Sequence, residues 1–160
     1  MATVNLSEYK PLDITNADEF SIGIVVSEWN DFVTENLFKG CFETLIKEGI
    51  KEENISVIRV PGAFELSYAS MQMCKSENYD AVVAIGCVIR GETSHFEFIC
   101  SGVAHGITQC NTQTNTPAIF CVLTDDNSVQ SIARSGGHLG NKGVESAVTA
   151  IKMAYLRHHP

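Results

Sequence analysis

Four short runs of consecutive apolar residues stand out along the chain, at positions 21–27, 55–60, 81–89 and 118–123. Each is rich in valine, isoleucine or alanine, and none alternates strictly with polar residues. That pattern predicts strands buried on both faces, as in a parallel sheet. The third, Ala81-Val82-Val83-Ala84-Ile85-Gly86-Cys87-Val88-Ile89, is the most buried in character.

Between the runs the period changes. Residues 31–47 carry Phe38, Cys41, Phe42, Leu45 and Ile46 at helical spacing, and Gly49 supplies a stop. Pro61-Gly62 cuts off the second strand, and a second helix is predicted over 64–75. A third, over 94–109, places Phe96, Ile99, Val103 and Ile107 on one face. A short helix over 129–134 is opened by Asn127, with Gln130 three residues on in the manner of a capping box, and closed by Gly136-Gly137. The last covers 141–157, with Val144, Ala147, Val148, Ile151 and Tyr155 facing inward.

Strands that alternate with helices predict an α/β fold: a three-layer α/β/α sandwich around a four-stranded parallel sheet with right-handed crossovers. Residues 1–20 hold no sustained period and contain Pro11, so they read as an extended N-terminal arm; residues 21–160 read as one domain. No internal repeat is present.

Composition narrows the classes. At 160 residues, 44% hydrophobic and 19% charged, the chain can bury one core and is not a disordered sequence. No apolar run reaches the length of a membrane span, and no basic region followed by an apolar stretch opens the chain, so a cytosolic protein without a signal peptide or membrane partner is expected. The net charge of −8 disfavours a nucleic-acid partner. Six cysteines occur without a Cys-x-x-Cys pair and mostly inside apolar segments, which predicts reduced, packed thiols rather than disulfides or a zinc site.

Ligands of open α/β sheets bind beyond the carboxyl ends of the strands. The loops there hold the unusual residues. Strand one is followed by Glu28-Trp29-Asn30, where the only tryptophan can stack on a flat ligand or staple a helix start capped by Asn30 or Asp31. Strand two is followed by Pro61-Gly62-Ala63-Phe64-Glu65, whose small pair admits a ligand and whose carboxylate can accept hydrogen bonds or simply favour a helix start. Strand three is followed by Arg90-Gly91-Glu92-Thr93-Ser94-His95. The helix start there favours phosphate, and an imidazole, which can both give and take a proton, suits proton transfer. Strand four is followed by Thr124-Asp125-Asp126-Asn127, then Arg134 and a connection with four glycines from Gly136 to Gly143, including Lys142. Together these loops suggest a small, flat, phosphorylated or polyhydroxylated substrate and proton-transfer chemistry.

The loops, taken in order, resemble the lumazine synthase family. The matching stretches are Ile24-Val25-Val26-Ser27-Glu28-Trp29-Asn30, Val60-Pro61-Gly62-Ala63-Phe64-Glu65, Val88-Ile89-Arg90-Gly91-Glu92-Thr93-Ser94-His95, Pro117-Ala118-Ile119-Phe120 and Gly140-Asn141-Lys142-Gly143-Val144-Glu145. The resemblance covers residues 21–155 and implies a flavodoxin-like fold of the lumazine synthase type. It implies condensation of 5-amino-6-(D-ribitylamino)uracil with 3,4-dihydroxy-2-butanone 4-phosphate, with loss of phosphate and water and with no cofactor or metal. By the same resemblance His95 is the proton donor, and Trp29 stacks on the pyrimidine. Asn30, Ala63, Phe64, Glu65, Cys87, Val88, Ile89 and Phe120 hold the pyrimidine or its ribityl chain. Glu92, Thr93, Arg134 and Lys142 hold the butanone phosphate, Glu92 through its backbone with its side chain turned away. Phe120 and Arg134 match positions supplied by a neighbouring subunit. A homopentamer is implied, with a 60-subunit icosahedral cage suggested by the short 136–143 connection, an arm that adds a strand to the neighbour's sheet, and association with riboflavin synthase.

Three other classes fit less well. A flavin or lumazine carrier on the same fold has no need of both His95 and Arg134. A phosphorylatable receiver domain needs an acidic cluster after strand one and an aspartate after strand three, where Trp29 and Arg90 stand. A nucleotide-binding domain needs a glycine-rich loop after strand one, and none follows it.

Overall fold

The computed structural model describes residues 4–14 and 16–159. Four strands, β1 (Ile22–Ser27), β2 (Ile55–Val60), β3 (Ala81–Ile89) and β4 (Ala118–Asp125), form one parallel sheet in the order β2-β1-β3-β4. Five α-helices accompany it: α1 (Asp31–Lys47), α2 (Leu66–Lys75), α3 (His95–Gln113), α4 (Ser128–Arg134) and α5 (Lys142–His158). A two-stranded antiparallel hairpin, β5 (Ser135–Gly137) and β6 (Gly140–Asn141), joins the last two helices.

β1 is buried at every position, and β3 at all but its last two. Central strands of a parallel sheet have helices on both sides, which is why their sequences are continuous apolar runs. Alternate residues divide between two cores. Ile22, Ile24, Val26, Val83 and Ile85 face α1 and α5, whereas Val25, Val82 and Ala84 face α2 and α3. The expected three-layer sandwich is therefore what forms. Each central side chain contributes about 1.5–3 kcal/mol by leaving water.

Helix boundaries sit close to those expected, but three faces differ. α5 buries Ser146, Ala147, Ala150, Ile151 and Ala154, while Tyr155 is 40% exposed. The reason is close approach: a Cβ at Gly143 would lie 1.9 Å from the Leu37 carbonyl oxygen, so α1 and α5 meet through small residues. In α3, Val103 and Ile107 are buried and Ile99 packs partly, but Phe96 lies under the Arg90 guanidinium instead. In α1, Ile46 is exposed. At α4 the box is offset by one residue: Asn127 Oδ1 accepts from the Gln130 N–H, while Gln130 Oε1 accepts from Asp126 rather than from Asn127.

Residues 4–14 contain no strand. They are fastened to their own chain: Tyr9 donates its hydroxyl proton to Glu48 at 2.9 Å, Leu12 N–H donates to the same carboxylate, and Ser7 Oγ exchanges hydrogen bonds with the Asn141 backbone. At the opposite end of the chain, Asp80 gathers the Ser21 N–H, Arg157 and His158, which ties the end of α5 to the amino end of the sheet. All six cysteines are free, five of them buried. Among the described residues, no helix is long and apolar enough to cross a membrane.

Candidate active site

The carboxyl rim of the sheet begins at Ser27, which pairs with Val60. Two further backbone bonds, Glu28 N–H to Val60 O and Trp29 N–H to Pro61 O, carry β1 alongside β2 beyond the strands. They deliver the Trp29 indole onto Gly62, where a built Cβ would lie 2.6 Å from Cε3 of the ring. Only glycine leaves room for it. The indole is 67% exposed, so it is a plate open to solvent and not a staple buried against α1.

Asn30 takes the left-handed conformation (φ 61°) and precedes the first turn of α1 without capping it through its side chain. Its Nδ2 donates instead to the Cys87 carbonyl at 3.0 Å, which locks the Trp29 loop to the end of β3. The Cys87 thiol points inward, bonded to Ser131, and burial pushes its pKa up to about 11. The Cys87 sulfur is therefore engaged inside the protein and its carbonyl is held by Asn30. Val88 and Ile89, half-buried, finish β3 beside Thr124 and Asp125.

After β2, Gly62 N–H donates to Glu65 Oε2 at 3.0 Å, inside a single 3-10 turn (Ala63–Glu65) that runs into α2. Ala63 is buried and Phe64 is 54% exposed, its ring lying over Gly102 of α3. After β3, residues 91–95 are all exposed. Thr93 Oγ1 accepts from the His95 N–H at 3.4 Å, and the Glu92 side chain has no partner among the described residues. Trp29 and His95 thus follow adjacent strands, β1 and β3, and share one rim.

Phe120 does not join them, and Arg134 and Lys142 share its cavity at the β4 edge. Val25, Ala84 and Phe120 lie at one level of the sheet. Trp29 follows Val25 by four residues, roughly 13 Å further along at about 3.3 Å per residue. Phe120 sits on the free edge of β4, 43% exposed. It lines a cavity of about 620 Å³ between β4 and α5, together with Arg134, Lys142 and Glu145. Arg134 Nη1 donates to the Gln130 carbonyl at 2.9 Å, which orients the guanidinium. Lys142 Nζ donates to both oxygens of Glu145, at 2.9 and 2.8 Å. The same cavity is bordered by a group that the sequence alone did not single out. Asp125 is only 3% exposed, and its Oδ2 has no hydrogen-bond partner.

A flavodoxin-like α/β sheet with an open indole, an imidazole and a loose, exposed turn at its carboxyl rim, and a guanidinium in a cavity at its edge, defines an enzyme for small planar and anionic substrates. Residues 19–158 match the model of the family described as 6,7-dimethyl-8-ribityllumazine synthase. The chain belongs to that family. It is 57% identical over 153 residues to the 6,7-dimethyl-8-ribityllumazine synthase of Flavobacterium johnsoniae, covering 96% of this chain and 80% of that one. It is 56% identical to the enzyme of the same name from Christiangramia forsetii, covering 96% and 92%. Against that from Parabacteroides distasonis the identity is 52%, covering 96% and 97%.

Proposed function

We propose that this chain is a transferase of riboflavin biosynthesis: it condenses 5-amino-6-(D-ribitylamino)uracil with 3,4-dihydroxy-2-butanone 4-phosphate and releases phosphate, water and 6,7-dimethyl-8-ribityllumazine. Residues 21–160 form the catalytic domain and residues 1–20 its arm. The single observation that carries the reading is that Trp29 and His95, far apart in sequence, stand on the same rim in a chain whose family makes this product.

The pyrimidine stacks on Trp29, with its ring edge and ribityl chain along Ala63, Phe64, Glu65 and the backbone of residues 87–89. Asn30 shapes this pocket through its bond to Cys87. His95 moves protons on and off oxygen and nitrogen as the amine attacks the ketone and water leaves. The backbone of Glu92 and Thr93 receives the phosphate at the start of α3. Arg134 stabilises the charge that gathers on phosphate as its C–O bond breaks, with Lys142 beside it. None of these side chains is a strong nucleophile, so much of the acceleration comes from holding two reactants together.

Phe120 and Arg134 act on the site of a neighbouring copy. The level of Phe120 in the sheet, well below the rim that carries Trp29, and the edge cavity it shares with Arg134 support this. The family resemblance makes this assembly a homopentamer, and the short β5–β6 hairpin supports closure of twelve pentamers into a cage. Six free thiols support a reducing compartment, the cytoplasm.

Mixing the purified protein with both substrates is expected to give lumazine absorbance and free phosphate at a rate well above the spontaneous condensation. Tight flavin binding without that rate would make the chain a carrier. Sedimentation is expected to show a pentamer or a 60-subunit particle, and a monomer would defeat the shared site. Gly62→Ala places a methyl group where the indole lies. The exposed ring can move, so the fold is expected to persist while the KM for the pyrimidine rises about tenfold, the scale of one lost aromatic stack. An unchanged KM would remove Trp29 from pyrimidine binding.

A further inference from the structure

We propose that Arg90 is a positioning residue: it clamps the 91–94 turn, and with it His95, against the end of β4, and does not itself bind phosphate. This rests on the reading of His95 and that turn given above.

Three contacts hold the guanidinium, and they come from both sides of the turn. Nε donates to Asp126 Oδ1 at 2.8 Å, just past the end of β4. Nη1 donates to Glu97, in the first turn of α3. The guanidinium carbon lies 4.2 Å from the centre of the Phe96 ring, also in that turn. The Arg90 N–H donates to the Asp125 carbonyl at 2.9 Å, so backbone and side chain fix the same junction. The planar fork of arginine can make two directed bonds and stack at once, which lysine cannot.

The turn has little else to hold it. Residues 91–95 are exposed, a Cβ built on Gly91 meets no atom within 4 Å, and the side-chain bond within the turn is the long one from His95 N–H to Thr93. Without the clamp, the first turn of α3 is free to shift relative to β4. Displacements of about 1 Å in a reacting group can cost about 100-fold in rate.

Electrostatics separate this role from direct binding. Two carboxylates face one guanidinium, so the cluster carries a net negative charge and offers nothing to an incoming phosphate. The bonds to Glu97 and Asp126 hold the guanidinium firmly in its charged form, and the Glu97 carboxyl is held below its usual range. These ion pairs are solvent-exposed, and pairs of that kind contribute little to fold stability. Their effect therefore belongs to geometry.

Steady-state kinetics of Arg90→Gln, Glu97→Gln, Asp126→Asn and the double variant Arg90→Gln/Glu97→Gln test the proposal. Arg90→Gln is expected to lower kcat/KM for the butanone phosphate by at least about tenfold, with the pyrimidine KM within about twofold and an unchanged Tm. Glu97→Gln and Asp126→Asn are expected to lower the same quantity, and the double variant to lose no more than Arg90→Gln alone. If Arg90 bound phosphate, freeing it from Glu97 or Asp126 would instead improve the phosphate KM; that result, or an Arg90→Gln enzyme with normal kinetics, overturns the proposal. Should Arg90→Gln not fold, the direction of change in the two carboxylate variants decides alone. Normal turnover in His95→Ala would refute the underlying reading of the site, whatever the clamp does.

Discussion

With Arg134 replaced by alanine, the KM for the butanone phosphate is expected to rise about 100-fold, the equivalent of losing two charge-assisted bonds, while the pyrimidine KM moves less than about twofold. The asymmetry follows from chemistry. A guanidinium presents paired donors to a phosphate and gains most as negative charge builds there. Arg134, the last residue of α4, is preorganised for this, because one Nη is already held by the carbonyl of Gln130 one turn earlier. Arg134→Lys keeps the charge but loses the fork, so it should recover only part of the affinity. Equal loss for both substrates would count against the role.

The second large effect is on turnover. His95→Ala is expected to lower kcat by about 100-fold or more, the usual contribution of a positioned proton-transfer group. The fold should be spared, since residue 95 is exposed and opens α3. Both variants together test where the site is built. Co-assembled at equal amounts, the two impaired chains should recover full activity at up to about a quarter of the interfaces of a symmetric ring, those where an intact His95 meets an intact neighbouring Arg134. A site contained in one chain would recover nothing.

How much of this could be read from the residues depends on how local the determinant is. β1 and β3 were legible because burial on both faces demands an uninterrupted apolar run. The inward face of α5 was misread, since side-chain size normally marks a buried face and here the close contact with α1 selects Ser146, Ala147 and Ala150 over Tyr155. The β5–β6 hairpin left no period, because strands of two and three residues are too short to show one. The rim residues were found as loop chemistry after strands. The Arg90 clamp was not, because Arg90 and Asp126 are separated by the whole of α3 and β4. Asp125 looked like one more polar loop residue until its burial without a partner set it apart.

The succession of strands and helices, and the separate loops that carry Trp29, Glu65 and His95 after the first three strands, were therefore decided by the amino-acid sequence alone, since each depends on residues near one another along the chain; the family was legible in the same loops taken in order. Tertiary structure decided which of these side chains share a face. It set Trp29 and His95 on adjacent strand ends, turned the Cys87 thiol inward, and left Phe120 and Arg134 in a separate cavity at the β4 edge. The physical reason is that strand register and helix packing, which bring distant residues together, are settled only when all the elements pack at once.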